Sequence, residues 1–142
     1  MSGNRSFVDT NILVYAHDET AGDKRDLARS VLAELWESGD GCLSVQVLQE
    51  FFVAVTRKVP KPLDAVCAAA IVADLSHWRA HSPGPGDVLS AIDSHRRLDI
   101  SFWDAMIVCS AASLGCRILY SEDLNPGQDY EGVRVRNPFL AS

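Results

Sequence analysis

The stretch Ser101-Phe102-Trp103-Asp104-Ala105-Met106-Ile107-Val108-Cys109-Ser110-Ala111-Ala112-Ser113-Leu114-Gly115 decides the reading of the fold. From Phe102 to Cys116 its only acid or base, thiols aside, is Asp104. Its length and near-continuous apolar content suit a buried helix better than a strand, with Gly115 where a C′ glycine ends the last turn. A carboxylate in the first turn of a core helix needs a partner, because an uncompensated buried charge costs on the order of several kcal/mol or more. One partner is local: Ser101 and Asp104 have the spacing of N-cap and N3 in a capping box, at the positive end of the helix dipole. That use is compatible with a second one, since a helix N-terminus can hold an acid in place for other chemistry.

A chain of 142 residues, 47% hydrophobic, is long enough for one domain with a single core, predicted to span 1–142. A formal charge of −6 and a pI near 5.0 argue against a protein that coats nucleic acid through general electrostatics. They leave room for a small acidic site that recruits cations. Cys42, Cys67, Cys109 and Cys116 show no zinc-site spacing and read as reduced core residues. Residues 1–5 have no apolar leader and no run approaches a membrane span, so a soluble cytoplasmic protein without a membrane partner is expected.

Outward from the opening stretch, apolar runs alternate in period. Ser6-Phe7-Val8 reads as a strand that turns through Asp9-Thr10-Asn11 into the apolar Ile12-Leu13-Val14-Tyr15-Ala16. A helix follows in which Leu27, Val31, Leu32 and Leu35 recur at helical spacing, ended by Gly39-Asp40-Gly41. Residues 42–45 read as a strand, and 47–59 as a helix with the stripe Leu48, Phe51, Phe52, Val55 and Val59. An alanine-rich helix over 63–75, with Pro62 suited to its first turn, leads to a short edge strand around 78–82. Residues 82–86 form a turn, and Asp87 caps a helix whose Val88, Ile92 and Leu98 face inward. After the opening helix come strands at 117–120 and 133–135. Such alternation indicates an α/β domain with a mainly parallel sheet, whose site lies beyond the carboxyl ends of the strands near the topological switch point.

Five acids stand in suggestive places: Asp9 and the Glu122-Asp123 pair at strand exits, Asp104 at its helix head, and Glu50 in the second strong helix. Each also has an ordinary reading. Asp9 can cap a helix, Asp123 can make an Asx turn, and Glu50 lies off the apolar stripe on a face suited to solvent. As a set they offer oxygen ligands alone, which suits Mg²⁺ or Mn²⁺ and the hydrolysis of a phosphodiester. The sequence holds no phosphate-binding glycine loop, no His-Glu-x-x-His and no Gly-x-Ser-x-Gly, and His17, His77, His81 and His95 read as surface residues.

Four segments, Phe7-Val8-Asp9-Thr10-Asn11-Ile12-Leu13, Gln46-Val47-Leu48-Gln49-Glu50-Phe51, Ser101-Phe102-Trp103-Asp104-Ala105 and Tyr120-Ser121-Glu122-Asp123-Leu124, together resemble PIN domains, specifically VapC-like toxins of bacterial toxin–antitoxin pairs. The resemblance runs in order over essentially the whole chain. It implies a three-layer α/β/α sandwich around a mainly parallel sheet of about five strands in the order 3-2-1-4-5, and a Mg²⁺- or Mn²⁺-dependent ribonuclease. By motif, Asp9, Glu50, Asp104 and Asp123 are implied as the catalytic, metal-holding acids, with Asn11, Ser121 and Glu122 in support. The resemblance also implies a homodimer and a VapB-like antitoxin whose tail covers the acidic groove. Arg57, Lys58, Lys61, Arg96 and Arg97 are candidates to hold RNA phosphates. Two other readings are a non-catalytic module that binds metal or protein through the same acids, and a phosphatase that forms a phospho-aspartate on Asp9.

Overall fold

The computed structural model describes residues 4–140, so the leaderless N-terminus expected of residues 1–5 lies, for 1–3, outside the described residues. Along the chain run β1 (Ser6–Val8), α1 (Thr10–Ala16), α2 (Asp23–Ser38), β2 (Gly41–Ser44), α3 (Val45–Arg57), α4 (Ala65–Leu75), β3 (Arg79–His81), α5 (Pro85–Leu98), α6 (Phe102–Ser113), β4 (Ile118–Tyr120), β5 (Asp129–Tyr130) and β6 (Val133–Arg136). The sheet order is β3-β2-β1-β4-β6-β5. Every pair is parallel except β5 with β6.

The five parallel strands thus follow the expected order, with β6 as the fifth. The two-residue β5 is an addition, paired to β6 across the turn Glu131-Gly132. Both turn residues have positive φ, 55° and 86°, the conformation of a tight type I′ hairpin. The connections from β1 to β2 to β3 step toward one edge, and the connection from β3 to β4 steps back past β1. With right-handed crossovers this puts α1–α4 on one face and α5–α6 on the other, giving three layers. The reversal falls between β1 and β4, whose carboxyl ends therefore border the crevice where an open sheet places its site.

β1 and β2 are buried along their whole length, as strands covered on both faces should be. Phe7, Leu43, Leu119, Val47, Phe51 and Ile107 meet in the core. Gly41 is required there, because a Cβ would sit 2.7 Å from the Trp78 ring. Helix α6 starts and stops as its sequence suggests, with Ser101 as N-cap and Gly115 at φ 74° just after Leu114.

Several helical faces differ from expectation. On α2, Leu27 is exposed and Ala28 takes the inner row with Leu32 and Leu35. Ser44 caps α3, so the helix starts at Val45, and its inner stripe is Val47, Phe51 and Val55 with Phe52 turned outward. The α4 cap is Asp64, which accepts the Cys67 N–H at 2.7 Å, so Pro62 stays in the preceding loop. On α5, Gly84 is the N-cap and Asp87 binds it from N3 at 2.8 Å, while Val88 and Ile92 are exposed, Leu98 is half-buried, and Ala91 and Ser94 are buried. The small residues go inward where α5 meets α6, with Ala91 packed on Ala105 and Met106.

Cys42 and Cys116 are core residues and Cys109 is half-buried, but Cys67 is exposed at the head of α4. His77 and His95 lie at the surface; His17 and His81 are half-buried, the first against the Phe51 ring and the second 2.8 Å from the Ser110 hydroxyl. No described helix is long and apolar enough to cross a membrane.

Candidate metal centre

Asp9 follows β1 directly and is the N-cap of α1, so one residue ends the strand and starts the helix. Its Oδ1 accepts the Thr10 N–H at 2.7 Å and its Oδ2 accepts the Ser121 hydroxyl at 2.8 Å. The parallel register Val8↔Tyr120 brings that serine alongside, and the Asp9 N–H donates to the Tyr120 carbonyl at 3.0 Å. Ser121 is fully buried and its Oγ also accepts the Asp123 N–H at 3.2 Å, tying the exit of β4 to the exit of β1. On the far side, the Ser101 hydroxyl accepts the Asp104 N–H at 3.0 Å, the serine half of the expected capping box.

Asp9, Asp104 and Asp123 converge, each with a carboxylate oxygen within 4.8 Å of the others. Asn11 Nδ2 donates to Asp123 Oδ2 at 3.0 Å and fixes its orientation. Glu50 is exposed on α3 and lines the same groove without joining the three; Thr10 donates its hydroxyl to Glu50 at 2.8 Å and Gln46 Nε2 approaches at 3.4 Å. Glu122 turns away. Its carboxylate accepts the Tyr15 hydroxyl at 2.7 Å and pairs with the Lys24 ammonium.

The electrostatics follow this division. Burial pushes the Asp9 carboxyl up to about 7, and the charges of Asp123 and Asp104 add to it against the lowering pull of the Ser121 and Thr10 hydrogen bonds. Asp104 is also raised, mainly by burial and then by Asp123 and Glu50, with Ser101 opposing. For Glu122 burial works upward, but hydrogen bonds from Lys24 and Tyr15 hold it below the usual carboxylate range. Among the described residues, no lysine, arginine or histidine is within ion-pair distance of Asp9, Asp104 or Asp123. An all-oxygen set of three carboxylates with no counter-charge fits a hard divalent cation such as Mg²⁺ or Mn²⁺.

The groove over this cluster has a volume of about 620 Å³. Val14, Val53 and Ile107 make its walls apolar, and Lys58 stands at its border. The other basic candidates lie elsewhere: Lys61 is 3.9 Å from Glu19, Arg97 is paired with Asp93 and Glu131, and Arg57 and Arg96 are exposed helix residues. Thr10, Gln46, Tyr15, Lys24 and Trp103 gain places around the site that spacing alone did not reveal. The available signals were the hydroxyl between Asp9 and Asn11, and the indole next to Asp104.

A second polar cluster is structural. His81 lies 2.8 Å from the Ser110 hydroxyl and 3.7 Å from Asp87, in the order of a hydrolytic triad. Ser110 is only 1% exposed, however, so no substrate carbonyl reaches its oxygen.

A PIN domain family model matches residues 6–127. No curated protein matches the sequence. Among solved structures, the Mycobacterium tuberculosis toxin VapC20, which cleaves the sarcin–ricin loop, is similar at TM-score 0.64 and 21% identity over 83% of this chain and 89% of that one. The DNA-bound VapBC complex of Salmonella typhimurium gives TM-score 0.67 and 16% identity over 95% and 98% of the two chains. VapBC2 of Rickettsia felis, bound to a fragment of its promoter DNA, gives 0.64 and 17% over 93% and 97%. With the matched model running from β1 to just past β4 and taking in all six helices and all three converging carboxylates, the chain belongs to the PIN domain family.

Proposed function

We propose that this chain is a metal-dependent endoribonuclease, acting as the toxin of a toxin–antitoxin pair. The observation that carries the reading is the convergence of Asp9, Asp104 and Asp123 at the topological switch of a PIN fold, with no basic side chain among the described residues in ion-pair reach. The three structural relatives named above, a toxin and two toxin–antitoxin complexes, favour the toxin setting. By the same analogy the partners are an RNA substrate, a VapB-like antitoxin and a second copy of the chain.

In this reading Asp9, Asp104 and Asp123 hold Mg²⁺ or Mn²⁺, with Glu50 as the fourth acid at the groove wall. An ion held there would lower the pKa of a bound water toward neutral pH and draw charge from the phosphate. The chain contributes rigidity. Thr10 and Ser121 hold both oxygens of Asp9, and Asn11 holds one of Asp123, so the carboxylates are oriented before any ligand arrives. Glu50, whose carboxylate accepts the Thr10 hydroxyl, would in this reading take a proton from the attacking water. Lys58 is the basic residue best placed for a flanking phosphate, ahead of Arg57, Lys61, Arg96 and Arg97. Glu122 serves the site indirectly, by anchoring the loop that carries Asp123.

The test is cleavage of structured RNA by the purified chain, with 5′ ends sequenced to identify the bond. Cleavage that needs Mg²⁺ or Mn²⁺, stops with EDTA and is lost in Asp9→Asn supports the reading. Undiminished cleavage by Asp9→Asn contradicts it, and inactivity on every RNA favours the non-catalytic module. Phosphate trapped covalently on Asp9 would instead indicate the phosphatase.

A further inference from the structure

α6 opens with two adjacent side chains of opposite character. Asp104 belongs to the acidic cluster, while the indole of Trp103, one residue earlier, lines the same groove and is 61% exposed. A single exposed aromatic is ordinary on a protein surface, so exposure alone decides nothing. Trp103 differs in being held. Its ring meets the Phe102 ring edge-on, with centroids 5.1 Å apart and planes at 71°. Its backbone carbonyl is 3.4 Å from Nε2 of Gln46, a buried carboxamide that reaches across from α3. Gln46 also lines the groove, and its Oε1 is buried with no hydrogen-bond partner among the described residues.

The groove therefore presents three surfaces at once: carboxylates suited to a cation that carries a phosphate, an anchored indole face, and the Lys58 ammonium at the border. A nucleotide has matching parts. The groove's volume of about 620 Å³ lies within the range of roughly 300–1,000 Å³ that holds a small ligand. Single-stranded RNA with a splayed base gains most from an aromatic platform, because every base has a π-face and an unstacked base has lost its neighbours.

We propose that Trp103 is the stacking platform for an RNA base beside the scissile phosphate. This rests on the ribonuclease reading above, and it makes the preferred substrate a single-stranded or looped segment rather than a duplex. Trp103 binds substrate and leaves the metal ligands alone.

The experiment compares Trp103→Phe, which keeps a ring, with Trp103→Leu, which keeps apolar bulk, on the RNA identified by 5′-end sequencing. Trp103→Leu is expected to raise KM about 10-fold or more with little change in kcat, and Trp103→Phe to stay closer to the parent. Mn²⁺ binding measured without RNA should be the same in all three. A second arm replaces Mg²⁺ with Ca²⁺ and titrates single-stranded RNA of random sequence while indole emission is recorded. Quenching that disappears in Trp103→Phe, with Trp36 and Trp78 still present, supports the platform. An unchanged KM in Trp103→Leu, or no quenching, overturns it; so does a variant that changes only the oligomeric state, which would place Trp103 in a protein interface. A parent protein that quenches with RNA but cleaves none would sink the ribonuclease reading while retaining the platform.

Discussion

Two sets of carboxylates in this molecule meet the same charge problem in opposite ways. Asp93 and Glu131 close on Arg97 at 2.8 and 2.6 Å, and Glu122 closes on Lys24, so the chain neutralises its own charge. Asp9, Asp104 and Asp123 come within 4.8 Å of each other with no basic side chain of the described residues in reach. Glu122 and Asp123 are neighbours in sequence, yet they fall into different sets because the chain leaving β4 sends Glu122 to Lys24 and Tyr15 and Asp123 to Asn11. The paired set is explained by folding alone. The unpaired set has no such relief: burial first, with the neighbouring carboxylates adding to it, raises Asp9 and Asp104 above their ordinary range.

The sharpest way to break this contrast is to neutralise one member of each set. Asp104→Asn should reduce cleavage by at least on the order of 10²–10³-fold, as loss of a group that organises transition-state charge does, while slightly raising the melting temperature of the metal-free protein. Arg97→Met should leave cleavage unchanged and lower the melting temperature slightly, as for an exposed pair. Equal losses of activity in the two variants would erase the distinction.

The next effect concerns pH. Folded Asp9 keeps its proton up to about pH 7, whereas its unperturbed value is 3.8. Between these limits the folded chain holds more protons than the unfolded one, so metal-free stability falls as pH rises through that window. The stabilisation is present in full below about 3.8 and gone above about 7. Its size is on the order of a few kcal/mol. Urea unfolding at pH 5 and pH 8 in EDTA should show the loss, and Mn²⁺ should restore stability at pH 8, because the cation binds the ionised cluster.

Smaller effects test the supports. Ser121→Ala removes the hydroxyl that orients Asp9 Oδ2 and should weaken Mn²⁺ binding by roughly 10–100-fold. Glu122→Gln should change cleavage by only a few-fold, because Glu122 anchors the loop rather than meeting the ion.

The fold and two of the three clustered acids were legible for the same reason: strand exits and helix heads are marked in sequence by a change of period, and Asp9 and Asp104 stand at those marks. The spacing of the residues alone does not separate Glu122 from Asp123, which only the family motif distinguishes, because their separation depends on Lys24, far away in the chain. Glu50 shows that a solvent-facing position and a place at the groove are compatible. It is on the solvent side of α3, as the helical spacing suggests, and that side borders the groove where Thr10 reaches it. The inner face of α5 misled because large residues were assigned inward, whereas the close approach to α6 selects Ala91 and Ser94. β5 was invisible as a two-residue strand, detectable only through the turn that pairs it.

The most direct test of the central claim is calorimetric titration of Mn²⁺ into metal-stripped protein at pH 8, comparing the parent chain with Asp104→Asn and Glu122→Gln. The parent and Glu122→Gln are predicted to bind alike, and Asp104→Asn to show no binding. A parent chain that takes up no Mn²⁺, or an Asp104→Asn variant that binds it as the parent does, would contradict the assignment of Asp9, Asp104 and Asp123 as one cation site.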